Sequence, residues 1–98
     1  MTTAIEFFGK LGYNVEHTGG GCEALVRWLN DDAYIMITAW DDPSIPEGPW
    51  DRIAVGLYVR DDNDEFHAEF FDDTSIGFGS AAILASGAAL SYTYDTLH

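Results

Sequence analysis

The stretch WDRIAVGLYVR, from Trp50 to Arg60, decides the fold of this 98-residue chain. Large apolar side chains alternate along it with small or polar ones, which is typical of a β-strand with one buried face. The segment DDND, Asp61–Asp64, then has the composition of a turn, and EFHAEFF, Glu65–Phe71, alternates again. The two segments therefore predict a β-hairpin. Its alternating apolar positions are Ile53, Val55, Leu57, Val59, Phe66, Ala68 and Phe70.

Residues upstream of this hairpin predict a second one. Ala33–Trp40 is rich in residues that favour strands, and only three residues separate it from Cys22–Leu29. Cys22–Leu29 also fits a helical period, but the short connection favours a strand. Tyr13–His17 is a shorter strand candidate, and Asp41–Pro49 is a loop by its proline and glycine content.

A helix is predicted at each end of the sheet-forming region. Thr3 and Glu6 have the spacing of a capping box, which places the first helix at about residues 3–11. Ala81–Leu90 is predicted to be a second helix built largely of small residues. Its core-facing residues are predicted to be Ile83, Leu84 and Leu90. The chain is therefore predicted to be a single α+β domain, residues 1–98. Its four- to five-stranded antiparallel sheet would be packed by an N-terminal and a C-terminal helix.

Seventeen carboxylates against four basic side chains give the chain a net charge of −13. Residues 30–73 hold thirteen of these acids and two arginines, a balance of −11. The hydrophobic content of 47% and the aromatic content of 14% separate the chain from acidic disordered tails. The charge excludes nucleic acid as a direct ligand, because its phosphate backbone would be repelled. A basic protein is the partner class that the charge favours.

Eight of the acids come as four adjacent pairs at predicted strand ends. Successive turns of an antiparallel meander alternate between the two ends of the sheet, so the pairs are predicted to gather at two places. One end would carry Asp31, Asp32, Asp61, Asp62, Asp64 and Glu65. The other would carry Asp41, Asp42, Glu47, Asp72 and Asp73. The first is predicted to be the main partner contact, since tight turns hold carboxylates more rigidly than a proline-rich loop does.

In size, charge and αβ pattern the chain resembles the small acidic inhibitors encoded by phages and mobile elements. These include anti-CRISPR, anti-restriction and uracil-DNA glycosylase inhibitor proteins. The clusters Asp31–Asp32 and Asp61–Glu65 carry the resemblance. It implies a non-enzymatic DNA mimic that binds the basic nucleic-acid-binding groove of a CRISPR effector, a restriction enzyme or a repair enzyme. Two alternatives remain open. One is an acidic structural or assembly domain that forms a homo-oligomer through the second helix. The other is a salt-adapted protein whose aspartates are ordinary turn residues.

Three other motifs do not predict a catalytic or metal site. Asp61–Glu65 gathers oxygen ligands of the kind that calcium takes, but an EF-hand loop starting at Asp61 would need glycine where Phe66 stands. Cys22 lacks the partner motifs of zinc sites and is predicted to be buried and inert. The Thr18–Gly21 loop lacks the Gly-Lys-Ser/Thr ending of a phosphate loop. No cofactor, no metal and no enzymatic activity are therefore predicted.

The three tryptophans receive separate assignments. Trp28, within a hairpin, is assigned to the core, whereas Trp40 and Trp50 stand beside aspartates and are candidate partner contacts. Thr74–Tyr94 is uncharged, but its glycines and serines favour a helix packed on the sheet over a membrane span. The N-terminus lacks the pattern of a signal peptide, so a cytoplasmic location is expected.

Overall fold

The computed structural model describes residues 2–41, 44–75 and 77–97. Their elements run helix, five strands, helix, which confirms the predicted α+β fold. The strands pair in chain order as one antiparallel meander, β1-β2-β3-β4-β5. The bounds are α1 Ala4–Gly9, β1 Asn14–Gly19, β2 Cys22–Asn30, β3 Ala33–Ala39, β4 Ile53–Arg60, β5 Phe66–Thr74 and α2 Phe78–Leu97.

Both helices lie on the same face of this sheet. Successive side chains of a strand point to opposite faces, and the register aligns Ile35 with Leu57 and Met36 with Gly56. Ile35 and Leu57 are buried in a cluster that includes residues of both helices. We call this side the covered face. The side that carries Met36 and Gly56 has no helix over it within the described residues, and we call it the open face.

The core lies between the covered face and the helices. Burying one large aliphatic or aromatic side chain stabilises the folded state by about 1.5–3 kcal/mol. Six of the fifteen residues in β3 and β4 are β-branched, and such residues favour extended backbone. The largest fully buried side chains are Phe8, Leu25, Ile35, Ile37, Ile53 and Val55.

Helix α1 begins at the capping box that the sequence predicts. The backbone N–H of Glu6 donates to Thr3 Oγ1 at 3.1 Å, and the backbone N–H of Thr3 donates to Glu6 Oε1 at 3.4 Å. Lys10 is the C-cap, so the helix is slightly shorter than predicted. The rings of Phe8 and Phe78 lie 5.7 Å apart and connect the two helices.

Helix α2 spans 20 residues, longer than predicted, and packs mainly through alanines. Its buried residues are Phe78, Ala81, Ala85 and Ala88. The prediction that Ile83 and Leu90 face the core is wrong, since they are 74% and 72% exposed. Leu84 does pack against the core. Alanine lets the helix axis approach the strands closely, which leaves the larger side chains on the outer side. No helix in the described part of the chain is long and apolar enough to cross a membrane.

Strand β5 extends further than the sequence predicts. It continues to Thr74, so Asp72 and Asp73 pair with Val55 and Ala54 in the ladder. The prediction that this acid pair lies in a turn after the strand is therefore wrong. The pairing with the buried strand β4 extends β5, although aspartate is a poor strand former.

A β-bulge changes which aromatic residues of β5 share a face. Phe70 pairs with Leu57, but the partner of Tyr58 lies two residues earlier, which leaves Glu69 as the extra residue. Phe70 therefore packs against the core, whereas Phe66 lies on the open face. Simple alternation along the sequence would place both rings on the same side.

Candidate protein-binding surface

Arg60 joins two turns at one end of the sheet, the β2–β3 turn and the β4–β5 turn. Its Nη2 donates to the backbone oxygen of Asp31 at 2.7 Å. Its Nε lies 3.6 Å from Asp32 Oδ1, and its Nη1 lies 3.8 Å from Asp64 Oδ1. The prediction that the acids of these two turns lie together is therefore confirmed. We call this group the acid end, and its members are Asp31, Asp32, Asp61, Asp62, Asp64 and Glu65.

The carboxylate of Asp61 builds the β4–β5 turn. Its Oδ1 accepts hydrogen bonds from the backbone N–H groups of Asn63, at 2.8 Å, and Glu65, at 3.0 Å. Its Oδ2 lies 2.5 Å from His67 Nε2. The backbone hydrogen bond from Glu65 is the main cause that lowers the pKa of Asp61 from its ordinary 3.8. Asp64 closes the turn with φ 63°, a left-handed conformation that aspartate tolerates better than most residues.

The other five carboxylates of the acid end are exposed on backbone that is held in place. The N–H of Asp32 donates to Asn30 Oδ1 at 2.7 Å, and the N–H of Arg60 donates to the backbone oxygen of Asp32 at 2.7 Å. Groups that are already fixed lose less entropy on binding than mobile ones. The turns that carry these carboxylates are therefore preorganised.

The opposite end of the sheet is partly neutralised by Arg52. The Arg52 guanidinium forms an ion pair with Asp73 and lies over the ring of Trp40, 4.4 Å from its centroid. The hydrogen bond between Arg52 and Asp73 raises the pKa of Arg52, and it is the main cause that lowers the pKa of Asp73. One carboxylate of this end is therefore already paired.

The other described residues of this end that were predicted to contact a partner are exposed to solvent. Trp40 and Trp50 are 42% and 63% exposed. Asp41 and Asp72 are exposed as well. Asp42 lies outside the described residues. Among the described residues, five exposed carboxylates lie at the acid end and three, Asp41, Glu47 and Asp72, lie at the opposite end.

An aromatic cluster that was not predicted from the sequence lies on the open face. The rings of Trp28, Tyr34 and Phe66 contact one another, with centroids 4.8 to 5.7 Å apart. Tyr58 stacks on Tyr34 at 5.2 Å. Trp28 is 47% exposed, so its assignment to the core is wrong. The sequence does contain a signal for this cluster. The strand positions that alternate with the buried ones carry aromatic residues, whereas the solvated face of a sheet usually carries polar ones.

Gly56 makes room for one of these rings. A Cβ atom at Gly56 would lie 2.7 Å from Tyr58 Cε2, which is closer than real Cβ atoms come. The ring of Tyr58 therefore lies across the backbone of its own strand, where it can stack on Tyr34. An aromatic ring over a strand glycine in this way restores packing that the missing side chain would have supplied.

A depression of about 400 Å³ opens beside the aromatic cluster. Glu16 lines it from β1, the edge strand, and its Oε2 accepts a hydrogen bond from Trp28 Nε1 at 3.0 Å. Burial is the main cause that raises the pKa of Tyr34, and Glu16 adds to the rise. The lining residues are Glu16, His17, Val26, Trp28, Tyr34, Met36 and Phe66.

Two groups considered for metal or thiol chemistry have simpler roles. Asp61, Glu65 and His67 place three potential ligand atoms within 4.8 Å of one another, but exposed acidic groups commonly do so without an ion. Asp61 also already accepts hydrogen bonds from the turn. Cys22 is half-buried where β2 begins, less buried than predicted, because it lies in the edge hairpin. We assign neither a metal site nor a reactive thiol.

Comparison of the chain with protein-family models, with curated proteins and with solved structures found no match. The acid end and the open face are therefore the features from which a function can be inferred.

Proposed function

We propose that this protein is a non-enzymatic inhibitor of the DNA-mimic type, which binds the basic nucleic-acid-binding groove of a larger protein. The observation that carries the proposal is the acid end, where Arg60 joins two turns and five carboxylates are exposed. A groove built for phosphates presents lysine and arginine side chains. The partner would be a defence or DNA-processing protein of the cytoplasm, such as a CRISPR effector, a restriction enzyme or a repair enzyme.

The geometry of the acid end supports this role in addition to its net charge. Carboxylates on fixed turns can match a fixed row of cationic side chains without first being ordered. Exposed charges act over about 8 Å at physiological salt, so the acid end would steer the partner during encounter. Fast association that weakens with salt is the kinetic behaviour expected of such a surface.

The open face supplies the apolar part of the proposed interface. Arg60 lies over the ring of Phe66, 5.2 Å from its centroid, while it also holds the two acid turns. A partner seated on the acid end therefore meets the rings of Phe66 and Trp28 next to it. Exposed aromatic anchors beside charged groups are typical of binding hot spots.

Capture from a host lysate followed by competition tests this proposal. The immobilised protein should retain a nucleic-acid-binding protein at low salt, and added duplex DNA should elute it, because both ligands would occupy the same groove. Elution by salt alone is not sufficient, since any ionic contact responds to salt. If DNA leaves the captured protein in place, or if the captured protein binds no nucleic acid, the DNA-mimic function is wrong.

The outer side of α2 favours a second candidate, a homo-oligomeric assembly domain. Ile83, Leu90 and Tyr94 are 74%, 72% and 66% exposed, and their helical spacing puts them on one side. Residues 74–94 carry no charge, so two copies of a chain at −13 repel each other least there. Light scattering should then show a mass that rises with concentration, and Leu90→Lys should return it to the monomer. A monomer mass at all concentrations would exclude this candidate.

A further inference from the structure

The open face holds two arginine side chains of the chain itself in the same way. Arg52 lies over the ring of Trp40 at 4.4 Å and pairs with the carboxylate of Asp73. Arg60 lies over the ring of Phe66 at 5.2 Å and pairs with Asp32. Each guanidinium thus has an aromatic face on one side and a carboxylate within reach, a combination that binds this group well.

A third place on the open face offers a guanidinium the same two partners, an aromatic ring and a carboxylate. In the depression beside the aromatic cluster, Trp28 and Tyr34 supply the rings, and the hydrogen bond from Trp28 Nε1 holds the carboxylate of Glu16 beside them. Among the described residues, no lysine or arginine forms an ion pair or a cation–π contact with these three side chains. Arg27, on the same strand as Trp28, instead points to the covered face, where it lies beside Gly12.

We infer that this depression binds an arginine side chain of the partner protein. The inference rests on the proposed function and makes it more specific, because it names an anchor residue and its receptor. Arginine is favoured over lysine for two reasons. Its planar guanidinium can stack on a ring while donating two hydrogen bonds to one carboxylate, which an ammonium group cannot do. The two cations that this face already holds are also both arginines.

The electrostatics and the geometry of the depression support a cationic occupant. Glu16 is half-buried, so its charge is less screened than that of a fully exposed acid. The indole of Trp28 is the aromatic group that attracts cations most strongly. The volume of about 400 Å³ is ample for a guanidinium and the methylene groups that precede it. His17 also lines the depression.

The test uses the full chain, isotope-labelled, and three tripeptides blocked at both ends: Gly-Arg-Gly, Gly-citrulline-Gly and Gly-Lys-Gly. Citrulline keeps the shape of arginine without its charge. Nuclear magnetic resonance follows the indole N–H of Trp28, one of three tryptophans in the chain. The arginine peptide should shift this signal in a saturable way. Compared with it, the citrulline peptide should bind at least about tenfold more weakly, and the lysine peptide at least about threefold more weakly.

Two variants locate the site. Glu16→Gln keeps an oxygen that can accept from Trp28 but removes the charge, and it should weaken arginine-peptide binding about fivefold. Glu69→Gln removes the same charge from the groove beside α2, on the covered side, and should change binding by less than about twofold. If the three peptides bind equally, or if Glu16→Gln binds like the unchanged protein, the inference is wrong.

A third result separates the inference from the proposed function. If the arginine peptide shifts only the backbone signals of residues 31–32 and 61–65, the depression is not the receptor. The inference would then be overturned, while capture of a DNA-eluted partner through the acid end would still support the proposed function.

Discussion

The guanidinium of Arg60 donates a hydrogen bond to the backbone oxygen of Asp31, 29 residues away in the chain, at 2.7 Å. A basic residue is thus part of the frame that holds the most acidic region of the molecule. Arg60→Gln should lower the free energy of unfolding by about 1 kcal/mol, because a charged hydrogen bond to backbone is lost. It should also weaken partner binding, although it makes the acid end more negative.

Lys10→Gln is the matched control for this prediction, since it removes the same charge beside α1 on the covered side. Denaturant unfolding and binding to the captured partner are the two measurements. Tighter binding by Arg60→Gln would show that net charge, and not the arrangement of the turns, controls recognition.

The exposed carboxylates of the acid end can be tested without disturbing the turn that Asp61 builds. Asp31→Asn together with Asp62→Asn should weaken partner binding by at least about 1 kcal/mol and leave the melting temperature nearly unchanged. The control pair Asp72→Asn and Glu69→Gln removes the same charge from β5. Titration calorimetry compares the two. Equal losses would mean that only the net charge matters, and a larger loss in the control pair would place the working surface on β5.

Binding through the acid end should depend strongly on salt. We expect affinity to fall about tenfold or more between roughly 50 and 200 mM salt, because the distance over which exposed charges are screened shortens from about 14 Å to about 7 Å in this range. The association rate should account for most of the fall. An affinity that stays constant in stopped-flow and equilibrium measurements would point to an interface made by the aromatic face alone.

The pKa of Asp61 gives a prediction about acid stability. Because the hydrogen bonds of the turn lower this pKa in the folded chain, ionised Asp61 stabilises the fold at pH values above about 4. That stabilisation is lost as the pH falls through the folded-state pKa. At pH 6 the unchanged protein should therefore be more stable than Asp61→Asn, and the gap should narrow progressively as the pH falls below about 4. Ser91→Ala, which removes no titrating group, should show a gap that is independent of pH.

Gly56 should control the order of the aromatic face more than global stability. Gly56→Ala pushes the ring of Tyr58 off the strand and off Tyr34, so the near-ultraviolet circular dichroism of the tyrosines should change clearly. The free energy of unfolding should change by no more than about 1 kcal/mol, because a ring at the end of a flexible side chain can move away. Gly87→Ala, in open space on α2, should leave the spectrum unchanged and stabilise the helix by about 0.5–1 kcal/mol.

The parts of the fold that the sequence predicts well depend on local signals. The capping box of Thr3 and Glu6 and the alternation from Ile53 to Val59 need no knowledge of the rest of the chain. The bulge at Glu69 and the choice of which side of α2 packs inward depend on non-local contacts. Alanines on the inner side of α2 let the helix approach the sheet closely, which stabilises the fold more than burying Ile83 and Leu90 there would. Hydrophobicity alone does not reveal this.

The candidate surface was predictable to a similar degree. The acid end follows from strand parity, because turns two strands apart must lie at the same end of a meander. The role of Arg60 in joining those turns is a side-chain contact, which the strand pattern does not contain. The aromatic open face was missed because a tryptophan within a strand is usually buried. Trp28 is 47% exposed because neither of the two helices in the described residues covers that side.

The chain order of the five strands also has a consequence for how the protein is made. Each strand pairs with its immediate neighbour in the chain, so each hairpin can close as soon as its second strand has been synthesised. Three of the four close over two to five residues, and only the connection between β3 and β4 is longer. Helix α2 follows all five strands, and until it docks, apolar side chains such as Ile37 and Val55 remain without their cover. Exposed apolar surface of this kind promotes aggregation of partly made chains. A chain released before Phe78 would therefore carry a paired sheet with one uncovered apolar face, and we expect it to aggregate unless α2 is made and docks quickly.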